Sequence, residues 1–262
     1  MTPLESVILG VVEGITEFLP VSSTGHLILA SSLLGIAQTN FHKTFEIAIQ
    51  FGAICSVLAL YWRSFLNIEI VKKLFIAFIP TAAVGALLYS FIKMYLLGNE
   101  RVVIISLFLG GIALIAFEMF YKKRNNEQFA IANSSSHIKN ITYQQSFLIG
   151  VAQTVAIIPG VSRSAATILG GLLLGIPRVT VVEFSFLLAV PTMLAATALD
   201  LWNTSAAFTR PELVSLLLGF VTSFFVALLS IKFLLGYIRK HTFIPFGIYR
   251  IGAALLFFIF LF

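Results

Sequence analysis

Residues 8–36, ILGVVEGITEFLPVSSTGHLILASSLLGI, return 140 positions later as residues 148–176, LIGVAQTVAIIPGVSRSAATILGGLLLGI, without a gap. Gly10, Val11, Val21, Ser22, Ile28, Leu29, Leu33, Leu34, Gly35 and Ile36 each meet an identical residue. Two like halves must therefore be built from one local solution, and a weak internal repeat in an apolar chain is a mark of membrane proteins with a site between the repeats. The copies differ where chemistry sits. The first carries Glu13, Glu17, Ser22, Ser23, Thr24 and His26; the second carries Arg163 between Ser162 and Ser164. Together these are the inventory of a phosphate site.

The background of both copies is apolar. Of 262 residues, 59% are hydrophobic and 11% charged, against about 25% charged in soluble domains. The chain reads as an all-α integral membrane protein. Its net charge of +6 comes from short loops between apolar runs, where basic residues set topology, so no nucleic-acid partner is expected. Cys55 has no second cysteine to pair with, and the four histidines match no zinc spacing. The first basic residue is Lys43, so the first apolar segment is expected to persist in the mature protein.

Residues 4–19 and 25–36 are helix-compatible but shorter than the roughly 20 residues that span a bilayer. The LPVSSTG between them breaks the helix. The pair predicts a re-entrant hairpin with its tip at Pro20–Gly25, and irregular backbone at that depth needs protein or a wet cavity around it. Full spans are predicted near 44–62, 74–91 and 102–121. After a polar linker at 122–145, a second hairpin covers 146–158 and 165–176, and spans near 181–201, 212–235 and 243–262 follow. The chain is thus one membrane domain of six transmembrane helices plus two re-entrant hairpins. Three crossings per half is odd, so the repeats 1–121 and 146–262 are inverted, with both tips near the midplane. Ten lysines and arginines, among them Arg63, Lys72, Lys73 and Arg178, fall on one face, and Lys43, Lys93, Arg101 and Arg210 on the other. The positive-inside rule puts the first face in the cytoplasm, both termini outside, and the first hairpin entering from outside.

Glu13 and Glu17 share a helix face. Two carboxylates there call for a divalent cation or a shared proton; the bland alternative is a solvated helix face. Ser22, Ser23 and Thr24 precede a helix start, which suits an anion or simple capping. Arg163 in an apolar run calls for a phosphate, or for Glu13 or Glu17 as an internal partner. Thr167, at helical spacing from Arg163 and Ser164, adds a donor. His26, one turn past Ser23, offers a proton near neutral pH. Glu46, Glu183 and Arg250 read as members of buried structural pairs.

Five ordered blocks resemble the undecaprenyl-pyrophosphate phosphatases, the bacitracin-resistance phosphatases of bacterial membranes: GVVEGITEFLPVSSTGH at 10–26, KTFEIAIQ at 43–50, PGVSRSAAT at 159–167, EFSFLLAVP at 183–191 and FIPFGIYR at 243–250. The resemblance covers nearly the whole chain. It implies hydrolysis of a C55 polyprenyl diphosphate to the monophosphate carrier of cell-wall synthesis, a divalent cation (Mg²⁺ or Ca²⁺), a place in the bacterial plasma membrane, and a site open to the outer face. A homodimer is compatible with it.

Phosphoryl transfer depends on charge neutralisation and positioning. Arg163, Ser162, Ser164 and Thr167, with Ser22 and Thr24, are expected to cradle the diphosphate. Glu13 and Glu17 are expected to hold the cation or position the nucleophile. Either Ser23 attacks, with His26 or Glu17 as base, or one of those bases activates water. A lateral opening lined by Phe, Leu and Val would admit the lipid tail. The rival is a lipid-carrier flippase using the same arginine; a structural scaffold fits poorly with so many intramembrane polar groups.

Overall fold

Among the described residues, which run 1–88, 91–96, 99–124, 137–202 and 208–261 of this computed structural model, the secondary structure is helical throughout. The α-helices are α1 (Pro3–Thr16), α2 (Ser23–Leu33), α3 (Asn40–Phe65), α4 (Ile68–Leu87), α5 (Glu100–Arg124), α6 (Tyr143–Gln153), α7 (Arg163–Leu173), α8 (Arg178–Trp202), α9 (Arg210–Ile238) and α10 (Ile244–Leu261). The central part of the expected linker, 125–136, lies outside the described residues.

Six of these helices, α3, α4, α5, α8, α9 and α10, are long and apolar enough to cross a membrane, and the protein is a multi-pass membrane protein. The other four are not. α1 has 14 residues and α2, α6 and α7 have 11 each, so at 1.5 Å per residue they reach only about 16–21 Å.

The two copies of the repeat start, turn and stop alike. Thr2 caps α1 and Thr142 caps α6, each in a reciprocal capping box with the residue three along, Glu5 or Gln145. Such a box satisfies two orphan N–H groups at once. Ser22 and Ser162 each adopt a positive φ, 74° and 77°, and reverse the chain immediately before α2 and α7. Gly35 and Gly175, at φ 66° and 76°, close those helices in the left-handed conformation that glycine tolerates.

Several bounds differ from those expected. Ser23 and Thr24 belong to α2, because the reversal at Ser22 lets the helix begin two residues early. α4 begins at Ile68 rather than 74, since Asn67 Oδ1 accepts from the N–H groups of Glu69 and Ile70 at 3.1 and 3.3 Å. That cap draws the charged residues Glu69, Lys72 and Lys73 into the first turns. α3 begins at Asn40 because Thr39 caps His42 N.

In lipid, apolar burial does not hold helices together, so close backbone approach and polar links must. α1 packs on α9 and α3 through a small-residue face. A Cβ on Gly10 would stand 2.7 Å from Gly219 O, and one on Gly14 2.7 Å from Val226 Cβ. Its counterpart α6 packs on α4, where Gly150 meets the Ala77 backbone. α8 runs through the centre: Val181, Val182, Phe184, Phe186, Leu187, Leu188 and Ala189 are fully buried, as expected of a helix apolar on all sides. α5, α8 and α10 are tied by Glu118, which pairs with Arg178 at 2.5 and 3.1 Å and accepts Phe243 N–H at 2.8 Å. The outward faces of α4, α9 and α10 carry Phe75, Leu217, Phe225, Phe258 and Phe260, all exposed.

Candidate active site between the two turns

The turn after α1 and the turn before α7 meet in the middle of the molecule. Ser164 Oγ donates to Leu19 O at 2.9 Å across them. Arg250 in α10, fully buried, ties both. Its guanidinium donates to Pro20 O at 3.2 Å, Val161 O at 2.9 Å and Gly160 O at 2.8 Å, and to Ser106 O and Leu107 O of α5 at 3.1 and 3.3 Å. Gly110 leaves the room this guanidinium fills. Arg250 was expected in an ion pair. It is held by carbonyls instead, three of them from the two turns, whose acceptors have no helical partners. Of the other two, Glu46 pairs with His42 at 3.2 Å, and Glu183 has Arg239 and His137 as charged neighbours.

Around this clip the first copy's carboxylates meet the second copy's arginine. Arg163 Nη2 donates to Glu17 Oε1 at 2.9 Å, and Arg163 Nη1 to Ser185 O at 2.7 Å. Ser23 Oγ donates to the other Glu17 oxygen at 2.5 Å. Glu17 thus bridges a hydroxyl and a guanidinium. Glu13 lies one turn back, fully buried, and neither of its oxygens meets a donor. Its charged neighbours are Glu17, Glu46 and Arg163.

His26 is placed elsewhere. Its Nδ1 lies 2.8 Å from Ser22 O and its Nε2 2.8 Å from Tyr249 Oη, with the two rings stacked 5.5 Å apart. A carbonyl only accepts, so Nδ1 carries the proton and the neutral ring's Nε2 accepts from the tyrosine. The one-turn spacing put His26 beside Ser23, but residue 23 opens α2 and turns its side chain back toward Glu17.

The hydroxyls of Ser164 and Thr167 in the second copy bond to the scaffold. Thr167 Oγ1 contacts Arg163 O, Ser164 O and Ser185 Oγ at 3.0, 3.1 and 2.6 Å. Ser162 Oγ caps Ala165 N and meets Ser164 Oγ. Ser164 and Thr167 were expected to donate to phosphate. In this arrangement neither lines the cavity, and their hydroxyls hold α7 to the first turn at Leu19 O and to α8 at Ser185.

That cavity, of about 290 Å³, is lined by Glu17, Ser22, Ser23, Thr24, Ser162 and Arg163. Gln50, Thr81, Gln153 and Thr192 also line it, with Ile157, Ile158, Met193 and Ala196. Such a volume lies at the small end of ligand sites: it suits a polar head group and leaves a long tail outside. α2 starts here with no side-chain cap on its first N–H groups, which leaves donors for an anion. A larger depression of about 440 Å³ at Val71, Lys72, Phe75, Ile76 and Tyr143 is nearly all apolar and lies away from these groups.

The residues fit a hard divalent cation. Among the described residues no cluster of three or more His, Cys, Asp or Glu forms a closed ligand set. Glu13, with two orphaned oxygens beside Glu17, offers what Mg²⁺ takes in phosphate sites: one or two carboxylates, with water and phosphate oxygens completing the shell.

Sequence reasoning passed over Gln50, Thr81, Gln153, Ser185, Thr192 and Tyr249. The available signal was register: Gln153 stands 140 residues after Glu13. Thr81 and Thr192 each follow a proline, Pro80 or Pro191, inside a helix.

A family model described as bacitracin resistance protein BacA matches residues 6–256. Similar proteins include an undecaprenyl-diphosphatase of a Sulfurihydrogenibium species, 51% identical over 259 residues covering 99% of both chains. Undecaprenyl-diphosphatases of Persephonella marina and Aquifex aeolicus are 52% and 46% identical, each match covering 98% of both chains. With a match across nearly its whole length and relatives at about half identity, the chain belongs to the bacitracin resistance protein BacA family.

Proposed function

We propose that this protein is a membrane phosphatase that hydrolyses undecaprenyl diphosphate to undecaprenyl phosphate and inorganic phosphate, recycling the lipid carrier of peptidoglycan synthesis and so conferring bacitracin resistance. The observation that carries the chemistry is the chain Ser23–Glu17–Arg163 at an uncapped helix start. A nucleophile held by a base, itself oriented by a third group, is the pattern of an activated hydroxyl.

In the mechanism this supports, the terminal phosphate sits against Arg163 and the free N–H groups of α2, beside Ser22, Thr24 and Ser162. Glu17 takes the Ser23 proton as Oγ forms a bond to the terminal phosphorus. The bridging P–O bond breaks, and Glu17 passes the proton to the departing lipid phosphate. Water then cleaves the phosphoserine. Arg163 gains most in the transition state, where charge spreads over the equatorial oxygens. Glu13, with Glu17, would hold a divalent cation, which supplies charge neutralisation when bound. His26, locked by Ser22 and Tyr249, orients the turn. The tail leaves past Ile157, Ile158, Met193 and Ala196, apolar residues of the cavity wall.

The same reading makes α1–α2 and α6–α7 re-entrant and the two halves inverted, in the bacterial plasma membrane with the site open to the outer face. The short helices, the matched turns and the bias of basic residues support it. Flipping of the lipid by the same site would need Arg163 but not the Ser23–Glu17 pair, and the names of the relatives favour hydrolysis.

The test is phosphate release from a C55 polyprenyl diphosphate by purified protein in detergent, with and without EDTA, beside Glu17→Ala and Ser23→Ala. Release abolished by both substitutions is the expected result. Folded wild type that releases none would overturn the reading. Release that survives EDTA would leave the glutamates as proton carriers alone.

A further inference from the structure

Gln153 ends α6 at the register position Glu13 holds in α1. It is fully buried yet lines the cavity. Its amide nitrogen donates to Thr81 Oγ1 at 2.8 Å and to Thr192 Oγ1 at 3.3 Å. Both hydroxyls have committed their own protons to backbone carbonyls: Thr81 to Gly150 O at 3.3 Å, Thr192 to Leu188 O at 2.8 Å. Toward Gln153 they can only accept, so the edge facing them must be the NH₂. Flipping the amide would set its oxygen against two acceptors. The orientation is therefore fixed from three helices, α4, α6 and α8.

The consequence is a lone acceptor. Gln153 Oε1 is buried and meets no donor, an arrangement that is unfavourable unless the cavity supplies one. A diphosphate ionised at neutral pH presents acceptors, and a prenyl tail presents neither donor nor acceptor. Water is a donor, and hydrolysis consumes it. We propose that Gln153 holds the attacking water, its Oε1 accepting one O–H and so aiming a lone pair at phosphorus in the cavity that Gln153 lines together with Arg163.

This rests on the phosphatase reading, and it serves either route. The water oxygen bonds to phosphorus, and the bond that breaks is Ser23 Oγ–P, or the bridging P–O if water attacks directly. The electron pair leaves on that oxygen, and Glu17 carries one water proton to it. The other water hydrogen stays on the new P–OH, released from Gln153 with the product. Gln153 exchanges no proton itself. The same division of labour, an amide orienting water and a separate group stabilising charge, is known in other phosphoryl transfers.

The experiment compares wild type with Gln153→Met, which keeps length without the amide, and Gln153→Glu, which keeps an oxygen toward the cavity. Phosphate release from C55 polyprenyl diphosphate is measured, with methanol added as a competing acceptor. Gln153→Met is expected to lower kcat about 100-fold, with KM within about threefold, and to raise the share of methyl phosphate among the products. Gln153→Glu is expected to recover about tenfold of the lost kcat. Thr192→Val, which removes one anchor of the amide and leaves Gln153 in place, is expected to lower kcat about tenfold. It serves if Gln153→Met does not fold. Wild-type kcat in Gln153→Met would overturn the proposal. So would a lowered kcat with an unchanged product ratio, the mark of a merely structural role. An inactive wild type would instead remove the phosphatase reading on which it rests.

Discussion

Arg163, partly buried, and Arg250, fully buried, show how environment divides labour between identical groups. Arg163 has one carboxylate partner, one carbonyl and an Nε with no acceptor, and it lines the cavity, so it has capacity for a ligand. Arg250 is saturated by five carbonyls and has none. Arg163→Lys keeps the charge but loses the planar fork, and kcat/KM for phosphate release is expected to fall by about 3 kcal/mol or more. Arg250→Met leaves the turn carbonyls of Pro20, Gly160 and Val161 without their donor. The expected result is a loss of about 4 kcal/mol or more of stability, read from thermal unfolding in detergent. At this scale the sequence was informative about which polar residues matter and poor about which touch which. Glu13, Glu17, Ser23 and Arg163 stood out because polar groups in an apolar run are costly. Gln153 did not, because a neutral amide carries no charge that calls for a partner.

The elements are held by glycine contacts whose value depends on place. On α1, Gly10 touches the backbone of α9 at Gly219, so Gly10→Ala must push the helices apart. A loss of about 1–3 kcal/mol is expected. Gly175 closes α7 at φ 76° with nothing within 4 Å, so Gly175→Ala meets no clash and only backbone strain, about 1–2 kcal/mol. Gly236 in α9 also has nothing near it, and Gly236→Ala should stabilise by up to about 1 kcal/mol through helix propensity. Unfolding midpoints of the three variants in one detergent would check the order. Apolar runs and breakers announced all six long helices in sequence. Their ends were not legible, because Asn67 and Thr39 extend α4 and α3 through side-chain caps that hydropathy does not register.

For the whole molecule the proposed inverted arrangement makes a direct prediction. Leu4 and Gln144 occupy the same register position, 140 residues apart, and both are exposed. In a Cys55→Ser background, Leu4→Cys and Gln144→Cys should be labelled by an impermeant maleimide from opposite faces of the membrane, Leu4→Cys from outside. Labelling of both from one face would exclude inverted halves.

The sequence alone determined that this chain is helical, that it lives in a membrane, and that its two halves share one local design. Each of these follows from short-range physics: hydropathy, breakers, and turn residues that recur at a fixed offset. Only the tertiary structure decided that Glu17 and not His26 holds Ser23, that Arg250 fastens both turns, that Ser164 and Thr167 face the scaffold, and that Gln153 keeps an unclaimed oxygen on the cavity. Those are contacts between groups up to 230 positions apart. They depend on where three or more helices place their partners, and no spacing along the chain encodes that.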